Sequence, residues 1–496
     1  MALTRLFVRN SIPRILMVLL QAALLGYSLL RAFRLSMTHD ESSTFLNFHH
    51  RWIPEAFWDP SYWVTANLHP LNSWLMQGTG AVFGIAEGPL RLPNVFGHLL
   101  YLIFSARLSR SIAPNAWWAI AAFLVLNLNP YLLEFFSLAR GYGLANGFMM
   151  MGGSFLFWWL SRPNLKDGIW ISIAGFFMVI SQFIWINAWL AILLIMGIRS
   201  WAWMQEEPRT RSELVKMWLA PMGTTLGLAI LLWNPLRWLS QGGEFQWGED
   251  ALMVSWRQMI MDSLMGQGYL SGATTEVFMG IALVIWIVGG VLALRIFLQR
   301  RWNDPFMVMA AALFWACLSA MILQHELLGS QYLVRRTALI FYPLSAMLGV
   351  GIARELLKIR YWMGGVSVGL MMGFGIWHFS RTAQLTHTQE WGFDANTRHV
   401  VEYVNDQYSD GQPLTLGIDW VFEHTAEFYR LTLPLEGIAP LEYSKELDLD
   451  RPYDYYYIEP MDLPLLEADY QLVTQFEDKA ILLRRKVDSK IATESP

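Results

Sequence analysis

The chain has 496 residues, 54% of them hydrophobic and only 15% charged, with a mean hydropathy of +0.32. Soluble domains carry about 25% charged residues, so this composition excludes an ordinary water-soluble globular protein. The net charge of −4 conceals a split: residues 381–496 hold 22 acidic and 10 basic side chains, against 18 and 26 in the first 380. That asymmetry predicts two domains, 1–380 and 381–496, the first suited to anionic lipids or phosphates and the second unsuited to nucleic acid.

The apolar residues fall in blocks, and about 20 such residues cross a hydrocarbon core of about 30 Å. Eleven spans are predicted, at 14–35, 68–86, 91–109, 114–131, 141–160, 168–198, 214–235, 276–298, 305–325, 337–352 and 362–380. The stretch 168–198 is long enough for one tilted helix or for two short ones broken near Gln182. The basic start MALTRLFVRNSIPR precedes a long apolar run without a clean cleavage site, which predicts an uncleaved first span. Arg5, Arg9 and Arg14 place the N-terminus in the cytoplasm. Arg199, Arg209, Arg211 and Lys216, then Arg295, Arg300 and Arg301, then Arg354, Lys358 and Arg360 mark later inside loops. An odd number of spans then puts the acidic tail outside, although the charges assign no side to the loops between 87 and 167.

Three predicted outside segments are long enough to build a site. The first, 36–67, opens with Asp40-Glu41 and continues FLNFHHRWIPEAFWDPSYW, whose aromatics predict a helical segment lying on the membrane surface. The second, 236–275, contains QGGEFQWGED and the Gly-rich GQGYLSG; its Glu244, Glu249 and Asp250 read as solvated acids. The third, 326–336, ends in Arg335-Arg336 and is preceded by the polar pair His325-Glu326. In the tail, ANTRHVVEYVNDQ and WVFEHTAEFYRL read as helices, while PLTLGID, YDYYYIEP and KAILLRRK read as strands. The fold class is therefore mainly α: a polytopic transmembrane helical bundle of about 11–13 spans with a small extracytoplasmic α/β domain.

Cys317 is the single cysteine, so no disulfide forms within the chain, and no Cys/His cluster has zinc spacing. No P-loop or Rossmann glycine fingerprint is present, which disfavours a nucleotide-sugar donor. Two adjacent carboxylates at a membrane interface can act as a base and as a metal or hydrogen-bond partner; as plain loop acids they would only be solvated. His69, before Pro70, either caps the second span or touches a substrate. Arg91 and Arg140, at span ends, either snorkel to headgroups or serve a site.

The ordered set Asp40-Glu41, His69-Pro70-Leu71, Arg91-Leu92-Pro93-Asn94 and Ala139-Arg140-Gly141-Tyr142 resembles the GT-C superfamily of membrane glycosyltransferases. The branch it looks like is family 39, the protein O-mannosyltransferase and aminoarabinose-transferase type. The motifs lie within residues 1–200, and the remaining architecture is similar only loosely. His-Pro-Leu lacks a second proline, and Asn94 stands where that family has a small residue.

The resemblance implies an inverting hexosyl- or pentosyltransferase of the cell envelope. Such an enzyme moves a sugar from a polyprenyl-phosphate donor to a glycan, lipid or protein acceptor at the outer face of the plasma (inner) membrane. It implies Asp40 as the base, with Glu41 as orienter or secondary acid. Leaving phosphate needs cations, and arginine binds it through paired hydrogen bonds. Arg335 and Arg336 are the implied phosphate ligands, with His69, Arg91, Arg140 and Tyr142 as further substrate contacts. No cofactor is implied; a divalent metal is compatible with the carboxylates. The other readings are a lipid or glycolipid transporter or flippase, and a non-catalytic assembly partner. Charges clustered at span ends and the lack of an internal repeat weigh against a transporter.

Overall fold

The structure is a computed structural model that describes residues 2–63, 66–206, 211–265, 272–299, 301–302, 304–409, 411–442, 444–477 and 480–486. Arg209, Arg300, Lys479 and most of the GQGYLSG stretch lie outside the described residues. The chain divides into two compact units.

The first unit comprises Met1–Ala32, Trp52–Thr79 and Arg91–Ala383. The helices up to residue 382 are α1 (Ala2–Arg34), α2 (His39–Phe48), α3 (Pro70–Phe83), α4 (Glu87–Ile112), α5 (Ala116–Asn127), α6 (Pro130–Glu134), α7 (Tyr142–Ser161), α8 (Leu165–Ser181), α9 (Ile186–Glu206), α10 (Arg211–Gln241), α11 (Leu252–Ser263), α12 (Gly272–Leu298), α13 (Phe306–Leu328), α14 (Phe341–Ile359) and α15 (Tyr361–Thr382). The helical bundle is thus as expected from the apolar blocks. Among the described residues six helices are long and apolar enough to cross a membrane, or seven if α5 and the bent segment after it count as one.

Local chemistry explains several boundaries. Asn115, Asn129 and Asn164 cap α5, α6 and α8, each side-chain oxygen accepting an amide hydrogen of the first turn. Asn129-Pro130 breaks the α5 direction by 73°, because the residue before proline is driven out of the helical region. The block 168–198 is two helices, and the break falls at Gln182, which is extended (φ −158, ψ 118). The expected span at 68–86 needs correction. Its helix, α3, has 14 residues, about 21 Å at 1.5 Å per residue, too short for a hydrocarbon core. Between α4 and α7 the backbones touch: a Cβ on Gly97 would sit 2.6 Å from the Gly143 carbonyl oxygen, and one on Gly147 would overlap Gly97.

The aromatic stretch after α2 forms short 3₁₀ turns at Ile53–Phe57 and Pro60–Tyr62 instead of one surface helix, with prolines at both starts. Tyr62 and Trp63 are buried while Trp52 and Trp58 remain exposed.

The second unit comprises Phe33–Arg51, Gly80–Leu90 and Gln384–Pro496. Its start at Gln384 lies close to the expected boundary at 381, but two N-terminal segments belong to it as well. In the tail, α16 (Thr397–Asp406), β1 (Leu416–Ile418), α17 (Trp420–Thr432), β2 (Tyr455–Ile458), α18 (Leu463–Leu466), β3 (Tyr470–Gln475) and β4 (Ile481–Arg485) follow in order. The sheet order is β1-β2-β4-β3, with β1 and β2 parallel and the other pairs antiparallel. Strand β2 is buried along its whole length, as befits a central strand. Tyr456, Ile458, Tyr470, Ile481, Leu483 and Leu466 form one core cluster of this unit. Strand β3 was not expected from the sequence; it is an edge strand in which only Tyr470 is fully buried and Gln471, Leu472 and Gln475 are exposed.

Candidate active site

The candidate residues divide between the two units, and each group is built by its own local chemistry. In the first unit, three of the short motifs are tied together through buried polar side chains. Arg140 donates from Nη1 to the Asn67 carbonyl and from Nη2 to Asn67 Oδ1, both at 3.2 Å. Asn72 donates to the Ala139 carbonyl at 2.9 Å. Asn94 donates to Asn72 Oδ1 at 2.6 Å and accepts the Leu144 amide at 3.1 Å. The asparagine that departs from the motif is thus the link that joins α3, α4 and α7. A small residue there would leave two buried amide groups without these partners.

Gly141 makes the turn between Arg140 and α7. Its φ of +29 and its close approach to Ser181 and His69 leave no room for a side chain. The Tyr142 amide folds back onto the Arg140 carbonyl around it. This turn sets the Tyr142 ring edge-on to His69, with centroids 5.3 Å apart. His69 is buried and lies within electrostatic range of Arg140 and Arg336. Its Nε2 has no hydrogen-bond partner among the described residues. A buried polar nitrogen of this kind ordinarily has a partner, so it marks a place for a ligand or water.

Arg335 and Arg336 lie on a 3₁₀ turn, Arg335–Ala338. Thr337 pins the turn: its hydroxyl donates to the Val334 carbonyl at 2.6 Å and accepts the Val334 amide at 2.9 Å. Arg335 has φ +49, a conformation costing a non-glycine residue about 1–3 kcal/mol and concentrated at functional sites. The preceding strand-like stretch is held by the long second loop. Tyr332 pairs with Glu249 through both backbone groups, Gln331 donates to Asp250 at 2.6 Å, and Ser255 donates to the Leu333 carbonyl at 2.6 Å. The Glu249 backbone and the Asp250 carboxylate therefore hold the arginine-bearing loop, and Glu244 accepts the Ala66 amide at 2.8 Å, so the Asp250 and Glu244 carboxylates are not simply solvated.

His325 stacks on Tyr332 and hydrogen bonds to the Ser330 carbonyl at 2.8 Å, a structural task. Arg91 donates to the Ala32 carbonyl at 3.1 Å, which satisfies an acceptor in the last turn of α1. It is fully buried, so it does not snorkel. A buried ion pair that sequence reading missed, Arg31 to Glu134 at 2.8 Å, lies in the same unit, with Ser137 accepting from Arg31 Nε at 3.3 Å.

In the second unit, the Asp40-Glu41 pair forms the first turn of α2. Thr38 is the N-cap, and its side chain accepts the Glu41 amide at 3.4 Å. Glu41 reaches back to accept the Thr38 amide at 3.0 Å. This is a reciprocal capping box, in which two orphan amides of a helix start are satisfied together. Glu41 is therefore a structural cap. Asp40 sits between cap and Glu41, buried, at the end of a helix whose partial positive charge favours a carboxylate. Residues of the tail surround the same turn. Asp394 accepts the His39 amide at 2.5 Å. His39 Nδ1 donates to the Val421 carbonyl at 2.9 Å, and its ring meets His424 edge-on at 4.6 Å. Burial holds the Asp394 carboxyl well above the usual carboxylate range despite the bonds it accepts, and the Asp40 charge adds to the rise. Burial pushes His424 down to about 4, with His39 adding to the fall. Among the described residues no group of three or more His, Cys, Asp or Glu side chains is arranged to hold a metal ion.

Sequence reading found the carboxylate pair and the arginines but not the residues that hold them. The T-x-x-E signature at Thr38 and Glu41 was legible. Nothing local pointed to Asp394 or to Asn72 and Asn94 as the links.

No protein-family model and no curated protein matches the sequence. Solved structures do match. ArnT from Cupriavidus metallidurans bound to undecaprenyl phosphate superposes with a TM-score of 0.51 at 12% identity, covering 96% of this chain and 98% of that one. The same protein in its apo state gives 0.48 at 12% identity, covering 95% and 97%. An oligosaccharyltransferase from Archaeoglobus fulgidus tethered to an acceptor peptide gives 0.39 at 12% identity, covering 82% and 63%. The first of these establishes a shared fold over nearly the whole of both chains. The expected architecture, a polytopic helical bundle with a small α/β domain, is the fold observed, and ArnT shares it.

Proposed function

We propose that this protein is a membrane glycosyltransferase that moves a sugar from a polyprenyl-phosphate donor to an acceptor hydroxyl or amine at the outer face of the membrane, with inversion. The observation that carries the reading is that Arg140 and Arg336, far from His69 in sequence, lie within electrostatic range of its buried ring, whose Nε2 has no hydrogen-bond partner among the described residues. A buried guanidinium at Arg140 and a half-buried one at Arg336 suit a phosphodiester whose leaving phosphate gains charge as the sugar departs. The fold supports the same reading, because ArnT was solved with undecaprenyl phosphate bound.

In this reading Arg336 and Arg335 hold the phosphate, Arg140 completes the cationic group, His69 contributes a neutral ring nitrogen, and Tyr142 fixes the His69 ring. Asp40 accepts the proton of the attacking acceptor group, and the capping box fixes the turn that carries it. Attack on the anomeric carbon from the face opposite the phosphate inverts that centre; the carbon–phosphate oxygen bond breaks and polyprenyl phosphate leaves with its electron pair. In the same reading the N-terminus lies in the cytoplasm and the α/β domain outside, an orientation that the basic clusters support.

The test is to supply the purified protein in detergent with polyprenyl-phosphate sugars and a panel of acceptors. Release of polyprenyl phosphate together with a glycosylated acceptor is expected. Lipid movement across vesicles without sugar transfer would favour a flippase and overturn the proposal.

A further inference from the structure

The turn that carries Asp40 is held from outside its own helix, by two side chains of the tail within the second unit. Tyr429, on α17, is buried. Its hydroxyl oxygen accepts the Met37 amide at 2.7 Å, lies 3.2 Å from the Ser36 hydroxyl, and donates its hydrogen to Glu87 Oε1 at 3.0 Å. Arg398, on α16, donates to the same Glu87 oxygen at 2.9 Å. Glu87 opens α4, so it is fixed by a helix start as well as by a cation. The second side chain, Asp394, is also buried and accepts the His39 amide. The two acceptors thus grip the amides on either side of the capping residue Thr38, at Met37 and His39. Phe428 packs edge-on against Phe45 at 5.1 Å, which fixes the next turn of α2 against α17.

We propose that Tyr429 and Asp394 are positioning residues for Asp40, and that the C-terminal domain serves the reaction by holding the connector between α1 and α2 in one conformation. The inference rests on Asp40 as the base. Neither residue takes part in bond making. Each fixes an amide within three residues of the carboxylate, and a base misplaced by about 1 Å can lose about 100-fold in rate.

The experiment compares Tyr429→Phe, Asp394→Ala and Asp394→Asn in the full-length protein, by steady-state transfer and by amide hydrogen exchange in the segment 35–41. Tyr429→Phe keeps the ring and removes only the hydroxyl. Asp394→Asn keeps an acceptor oxygen for the His39 amide, while Asp394→Ala removes it. Tyr429→Phe and Asp394→Ala are expected to speed exchange in 35–41 about fivefold or more and to lower kcat about 10- to 100-fold with the donor KM changed less than about twofold. Asp394→Asn is expected to stay near the wild type in both. Unchanged exchange in Tyr429→Phe and Asp394→Ala would overturn the clamp. Faster exchange with undiminished kcat would overturn its service to catalysis. Absence of transfer in the wild type itself would sink the proposed activity, and the exchange data would still decide whether the two side chains hold the turn.

Discussion

The cationic group and the carboxylate turn are assembled in opposite ways. Around His69 and Arg140 the supports come from neighbouring motifs, Asn67, Asn72, Asn94 and Gly141, all within the first third of the chain. Around Asp40 the nearest supports are Thr38 and Glu41, but the connector is completed by Asp394 and Tyr429, more than 350 residues away. The first arrangement makes a rigid cradle from local sequence. The second places the proposed base under the control of residues distant in sequence within its own unit. A site built this way can be disabled from its periphery without touching a reacting atom.

The sharpest way to break the comparison lies in the first unit. Glu134→Leu strands the buried Arg31 guanidinium and should cost about 3–5 kcal/mol, read as a fall in the thermal unfolding temperature in detergent. Adding Arg31→Met should recover most of that loss, since a buried pair is worth little more than matched apolar groups. Recovery would show that the pair specifies the bundle and does not stabilise it. A smaller effect is expected from Asn94→Ala, which unties α3, α4 and α7: about 1–3 kcal/mol from the buried amides left behind.

In the second unit, Thr38→Ala removes one half of the capping box and should cost about 1 kcal/mol in unfolding, together with faster exchange at the start of α2. The smallest effect is a pH slope. Burial and the neighbouring Glu427 push Glu423 up to about 7, above its ordinary value of 4.5. A carboxyl whose folded value is raised contributes stability that is complete below pH 4.5 and is lost as the pH rises through 7. Glu423→Gln should flatten the unfolding temperature between those limits. A slope unchanged by the substitution would assign it to other groups, with Asp419, raised to about 6 by burial and its acidic neighbours, the next to test.

Much of the fold was legible because it follows from one-dimensional pattern. Apolar blocks gave the helices, and the amphipathic, aromatic and β-branched runs gave α16, β1, α17, β2 and β4. What was missed has a physical reason in each case. An apolar block measures hydrophobicity and not direction, so α3 looked like a span although it is only 14 residues long. Strand β3 is an edge strand with the neighbours Gln471 and Leu472 both exposed and a register shift between Leu472 and Thr474, so its alternation is weak. In the candidate site, Arg140 and His69 were visible as motif residues, whereas Arg91 carried the same motif signal and proves to satisfy the end of α1. Asp394 and Tyr429 stood among many tail acids and tyrosines, and only tertiary structure distinguishes them.

The most direct test of the account is the rate of sugar transfer by Asp40→Asn, measured alongside the binding of undecaprenyl phosphate. The side chain keeps its shape and loses its basicity. The account predicts that lipid-phosphate binding is retained while kcat falls about 100- to 10,000-fold, the usual contribution of a general base. Transfer by Asp40→Asn at the wild-type rate would contradict it.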